Sequence, residues 1–329
     1  MLSIKQNLRE TIHGGAPDRY VDQYEYLAMV PDPVIMQSGR PKNDGVPVVN
    51  AWGITHAWPP GTPGIFPVHT PDKIVIKDIT HWKDYVKRPP IKMPDSAWEM
   101  TYSVAEKINR DEVFLSGMVF PGLFEQTHHH CEIQRALIYL YEEPDDVKAF
   151  IKFLRDWELE YAQELVDHLH PDALFHHDDW GTQRSTFMSP DMFAEFYQDA
   201  YKEIYGFYHS HGVELIVHHS DSYAATLVPN MIDMGIDIFQ GALTTNNIPE
   251  LIKKYGGKIS FHGGIDNGLV DRSDWTEENV ERYTEQIIHA CGKHYFIPGL
   301  TAGGPGSTYP GVYAATSKII KKLSAEDFR

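Results

Sequence analysis

Histidine and aspartate recur at the ends of three apolar runs in the second half of the chain: Phe175-His176-His177-Asp178-Asp179, Val217-His218-His219-Ser220-Asp221 and Phe261-His262-Gly263-Gly264-Ile265-Asp266. Imidazoles and carboxylates brought to one place can move protons near neutral pH or ligate a metal ion. Adjacent side chains on a strand face opposite ways, so at most one histidine of each pair faces a shared interior, and the sequence leaves open which one. A His-x-His or His-x-Cys pair would set two zinc ligands on one face, but position 220 is serine, a poor ligand. A metal set would then need one histidine and carboxylates from neighbouring strands, with His218 and Asp178 as the pair to expect. An organic acid/base site of the same residues competes with it. A plain solvated loop, with an Asx turn before Trp180-Gly181, is the bland alternative.

The densest histidine run is Thr127-His128-His129-His130-Cys131-Glu132. Three consecutive histidines point three ways around a helix and are not expected to chelate one ion together. The run reads as a helix start at a pocket rim, with one histidine reaching in. His69 and His81 are expected on the surface.

The elements that must carry these residues are legible from about residue 144 onward. Pro144-Asp145-Asp146 opens a helix through Val147, Phe150, Ile151, Leu154, Trp157, Tyr161 and Leu165, with proline and acids suited to its first turn. Ser189-Pro190-Asp191 caps the next, which stops at His211-Gly212. Further helices end at Gly235, Gly256-Gly257 and Gly292, the last of them opened by Thr276-Glu277-Glu278. The intervening strands are expected over 172–175, 213–217, 236–239, 258–261 and 294–297. Strands separated by single helices are parallel with right-handed crossovers, and their carboxyl ends share one face. Without a Gly-x-Gly-x-x-Gly after a first strand, a dinucleotide fold is disfavoured. The expected fold class is therefore α/β: a TIM-type (β/α)8 barrel with an elaborated, loop-rich N-terminal region, one domain over residues 1–329.

That N-terminal region is rich in proline, glycine and aromatics, as in Trp58-Pro59-Pro60-Gly61-Thr62-Pro63-Gly64 and Gln37-Ser38-Gly39-Arg40-Pro41. Such stretches make poor helices or central strands, and long ordered loops often wall a pocket. Trp52, His56, Trp58 and Phe66 suit an aromatic wall. The 329-residue chain is 42% hydrophobic with a formal charge of −17. The charge argues against nucleic acid, which needs a basic face. No run of eighteen apolar residues suggests a membrane span, no signal-peptide pattern opens the chain, and two cysteines build no disulfide framework, so the cytoplasm is the expected location. The oligomeric state is open, with a homodimer among the choices.

The chain resembles the uroporphyrinogen decarboxylase superfamily along nearly its whole length. The resemblance is carried by Gly15-Ala16-Pro17-Asp18-Arg19, Asn50-Ala51-Trp52-Gly53, Phe120-Pro121-Gly122-Leu123-Phe124-Glu125, Glu143-Pro144, Asp178-Asp179-Trp180-Gly181-Thr182-Gln183, Met188-Ser189-Pro190, His209-Ser210-His211-Gly212 and His262-Gly263-Gly264-Ile265-Asp266. It implies a TIM-type barrel. Within the superfamily, the decarboxylase binds an eight-carboxylate tetrapyrrole through an Arg-Gln-Ala-Gly-Arg-Tyr segment, echoed here only by Gln37-Ser38-Gly39-Arg40-Pro41. The other branch comprises cobalamin-dependent methyltransferases. Their thiol-methylating members carry a zinc-binding His-x-Cys and a later cysteine, where this chain has His218-His219-Ser220 and Pro298-Gly299-Leu300. The resemblance therefore points to the methyltransferase component of an O-demethylase. Such a protein takes a methyl group from a small methoxylated aromatic and hands it to cobalamin on a partner corrinoid protein, with zinc as an optional aid.

A departing phenolate benefits from a proton or a Lewis acid. On this reading Asp178, His218 and His219 are the expected catalytic residues. Trp52, His177, Trp180 and His262 are the expected substrate contacts, and His218 with Asp178 the expected metal ligands. A cofactor-free decarboxylase, a methylcorrinoid:thiol or folate methyltransferase, and a barrel that only binds its ligand are the alternatives.

Overall fold

The computed structural model describes residues 1–62 and 64–329, so Pro63 of the expected Trp58–Gly64 loop lies outside the described residues. Its frame is a curled parallel sheet of seven strands, here β1 (Leu27–Met29), β2 (Phe114–Val119), β3 (Ala173–His177), β4 (Leu215–His219), β5 (Ile238–Ala242), β6 (Ser260–Ile265) and β7 (Phe296–Leu300). Neighbours in sequence are neighbours in space throughout. Helices cover the outer face, among them Pro144–Leu169, Asp199–Ser210, Glu277–Cys291 and Val312–Asp327.

The expected boundaries of these helices rest on local caps that form as read. Ser189 accepts from the Met192 N–H, Thr276 from the Asn279 N–H, and Gly235 ends its helix in the left-handed region at φ 86°. Proline sits in the first turn after Glu143, where its missing N–H costs nothing. The strands differ from expectation: each of the five begins one or two residues later and ends two to four residues later. The histidine pairs therefore lie inside β3 and β4, with His176 paired to His218 and His177 to His219. Polar residues commonly signal a strand end, but here buried partners satisfy the outward imidazoles, so the ladder continues through them.

Of the expected eight-stranded closed barrel, the described residues show a seven-stranded parallel sheet curled into a half-barrel. Between its two edges, β1 and β7, stands Gln23, just ahead of β1, whose N–H donates to the Pro298 carbonyl at 3.2 Å. The N–H and C=O of a strand residue leave on the same side, so Pro298 lacks its donor on this edge, where proline is tolerated. The Gln23 side chain ties this point to helix Val312–Asp327, its Nε2 donating to Ser317 Oγ at 2.8 Å and to the Tyr313 carbonyl at 3.1 Å.

The concave face of the sheet encloses a compact apolar core of Leu8, Tyr26, Phe114, Leu215, Val217 and Ile297 with their neighbours. The convex face packs Leu174, Ile216, Phe239 and Phe261 against the helices in a larger core. In the N-terminal region, Val48–Val49, Thr55–Ala57 and Phe66–Pro67 form a small antiparallel sheet that sequence reading did not anticipate. Among the described residues no helix is long and apolar enough to cross a membrane.

Candidate active site

Strand alternation sorts the polar strand ends into two layers. His176 and His218 follow Phe175 and Val217, which line the concave core, so their side chains point outward, toward helix Asp199–Ser210. Tyr205 Oη lies 3.2 Å from His176 Nδ1 and 3.0 Å from His218 Nδ1. His176 Nε2 meets Glu158 Oε1 at 2.7 Å, and His218 Nε2 meets the Asp178 carbonyl at 3.2 Å. Burial first, then the neighbouring His176 ring, holds the His218 imidazole well below its ordinary pKa, hence neutral.

Asp178 belongs to this outer layer. Its carboxylate accepts from the Phe124 and Glu125 amides at 3.0 and 2.7 Å, from Trp180 Nε1 at 2.9 Å and from the Tyr201 hydroxyl. It thus caps the N-terminus of helix Leu123–Cys131, where donors and dipole favour an anion. Burial pushes the carboxyl upward, and these donors pull it back. Gly122 leaves room for this contact, because a Cβ there would lie 2.6 Å from Asp178 Cβ. A zinc ion does not fit on His218 and Asp178, since neither keeps an unengaged ligand atom. Trp180 is fully buried, stacked on His218 at 3.9 Å, and Trp52 packs edge-on against Trp157 and His130. Both tryptophans expected to touch substrate stand among core aromatics, although the Trp52 rim also borders a shallow groove with Asp72, Lys73 and Tyr85.

The inward layer consists of His177, His219, Gln240 and His262. His177 is 28% exposed, its ring 4.4 Å from that of His219. Its Nδ1 lies 3.5 Å from Glu125 Oε2 and its Nε2 3.6 Å from Asp179 Oδ2. Burial alone would lower its pKa, but Glu125 and then Asp179 push it up to about 10, while burial pushes the Glu125 carboxyl well above its ordinary value. Asp179 is held well below the ordinary carboxylate range by His177 despite its burial. Asp221, whose amide donates to Asp179 at 2.9 Å, is pushed up to about 7 by burial and by Asp179. His219, bonded through Nδ1 to Gln240, is lowered to about 4 by burial and His177. His262 is buried beneath, 3.1 Å from the Tyr26 hydroxyl, and its ring occupies the space that a Cβ at Gly299 would need.

Glu125, missed by sequence reading as a functional residue, joins this layer to a further set. The His128-His129-His130 run closes helix Leu123–Cys131 instead of starting one, because Glu132 turns to φ 73° and caps the following helix. Two of its histidines, not one, reach Glu125: ligand atoms of Glu125, His128 and His129 all lie within 4.8 Å of one another. His177, Asp179 and His219 form a second set of the same compactness. The spacing Glu-x-x-His-His was the available signal, since i, i+3 and i+4 share a helix face. His69, expected on the surface, is partly buried with Nε2 on the His129 carbonyl at 3.1 Å; His81 is exposed beside Asp78.

A parallel α/β sheet with its polar cluster at the carboxyl ends of the strands has the layout of a barrel-type enzyme. A family model described as uroporphyrinogen decarboxylase (URO-D) matches residues 85–323, and the chain belongs to that family. No curated protein matches it. Among solved structures, a methyltransferase from Methanosarcina mazei superposes with a TM-score of 0.65 at 12% identity, over 98% of this chain and 99% of that one. At that identity the likeness bears on the fold alone. A sugar phosphate isomerase/epimerase from Parabacteroides distasonis reaches only 0.38 at 12% identity, over 72% and 86%, and carries no argument.

Proposed function

We propose that this URO-D family enzyme is a methyltransferase that demethylates a small methoxylated aromatic and passes the methyl group to cobalamin on a partner corrinoid protein. The observation that carries the reading is the inward cluster at the open end of the sheet, where His177 stands between Glu125 and Asp179. Cobalt(I) on the partner would supply the nucleophile for the methyl carbon. The chain's own part is to hold the aromatic ether and to meet the departing oxygen with a donor. His177 is placed for that second task, and hydrogen-bond donation to a leaving oxygen lowers the barrier. His219 and Gln240 fix the floor beside it.

The rim of the same end supports a protein partner. Phe120, Leu269 and Tyr309, which follow β2, β6 and β7, are 49%, 42% and 48% exposed. An apolar rim around a polar mouth suits docking of another protein surface. The Methanosarcina neighbour, itself described as a methyltransferase, agrees with the reading. Uroporphyrinogen fits the mouth less well: its many carboxylates call for arginines, whereas the inward groups are imidazoles with Glu125, Asp179 and Asp221.

The test is incubation of the protein with cob(I)alamin and guaiacol. Methylcobalamin and catechol should form together, and His177→Gln should reduce the rate by about 10²–10⁴-fold with a smaller effect on KM. Failure to form either product overturns the proposal.

A further inference from the structure

We propose that Glu125, His128 and His129 form a binding site for one divalent metal ion of the zinc class, distinct from the His218 and Asp178 pair read from the sequence. The three stand at i, i+3 and i+4 on helix Leu123–Cys131, so their side chains emerge on one face. Their ligand atoms already lie within 4.8 Å of one another. An ion at usual Zn–N and Zn–O distances of about 2.0–2.2 Å would need only small rotamer adjustments to be shared by all three.

The second observation concerns hydrogen bonding. Nδ1 of His128, Nδ1 of His129 and Oε2 of Glu125 are buried without a hydrogen-bond partner, and Glu125 as a residue is only 8% exposed. The third histidine of the run behaves differently, since His130 Nδ1 bonds the Gln126 carbonyl at 2.6 Å within the helix. Buried polar atoms are rarely left unpaired, and three on side chains whose ligand atoms lie this close together call for a shared partner. Two imidazoles and a carboxylate fit zinc, cobalt or nickel better than magnesium or calcium, which prefer all-oxygen shells. Burial lowers the His128 imidazole to about 3, and burial followed by His128 holds His129 well below its ordinary value. Glu125 Oε2 also lies 3.5 Å from His177 Nδ1, so His177 would orient the ligating carboxylate.

Three protein ligands leave a coordination position open, as in catalytic rather than structural zinc sites. If the methyl-transfer reading holds, an ion there would supply a Lewis acid beside the departing oxygen.

The experiment reads metal alone. The full-length protein is stripped with chelator, reloaded with Zn2+, and its bound metal counted by mass spectrometry; Co2+ then replaces Zn2+ and the visible spectrum is recorded. One ion per chain is expected, with cobalt bands of low-coordinate N/O ligation. Glu125→Gln and His129→Asn should each weaken binding by about tenfold or more, and His219→Gln should not. His128→Asn serves as the replacement if His129→Asn loses its far-ultraviolet circular dichroism. An ion-free wild-type protein, full retention in the histidine variants, or loss that follows His219→Gln overturns the site. No substrate is present, so this result stands apart from that of the demethylation assay.

Discussion

His262 lies fully buried between the rings of Tyr24 and Tyr26. Burial, with a smaller push from His219, lowers it to about 3, against about 6.5 in an unfolded chain. Between those values the unfolded chain binds a proton that the folded one refuses. Stability is therefore full above pH 6.5 and falls as pH drops toward 3, by an amount on the order of a few kcal/mol for this residue. His219, lowered to about 4, adds to the same decline. Thermal melts should show Tm falling from pH 6.5 to 5, with a shallower fall in His262→Gln; parallel declines in the two proteins would exclude His262 as a source.

At this scale the strand-end positions were legible in the sequence, because histidine and aspartate stand out against apolar runs. Their orientation was not. A two-residue period fixes that neighbours oppose each other and leaves the phase free, and the phase is decided by Phe175 and Val217 entering the concave core. Asp178 and His218 fell on the convex side as a result.

Helix Leu123–Cys131 is seated by its first turn. Asp178 answers two of its amides while holding Trp180 and Tyr201, so one carboxylate ties β3 to two helices. Asp178→Ala would leave four buried donors unpaired and should cost at least about 3 kcal/mol in urea unfolding. Asp178→Asn, which keeps one acceptor oxygen, should cost less. Gly122→Ala, forced against Asp178 Cβ, should also destabilise the fold. A loss within about 0.5 kcal/mol for Asp178→Ala would mean that the cap is dispensable. Helix ends such as Thr276 and Gly292 were read correctly because capping is decided by a few adjacent residues. The small sheet of residues 48–67 was missed because its strands are two or three residues long and register only when paired.

For the molecule as a whole, the difference between seven strands and eight concentrates weakness along one line. β1 is three residues long and, among the described residues, ladders only to β2, with Gln23 just ahead of it bonded to Pro298 of β7. By contrast β4 is paired over its whole length to β3 and from Val217 to His219 to β5. Amide hydrogens of Leu27–Met29 should therefore exchange with deuterium well before those of Leu215–His219, and equal protection would show the edges to be effectively fused. The open edge gives the fold a preferred place to breathe. A transient parting there would loosen the N-terminal helix and β1 together while β2 to β6, which carry the polar mouth, keep their pairing.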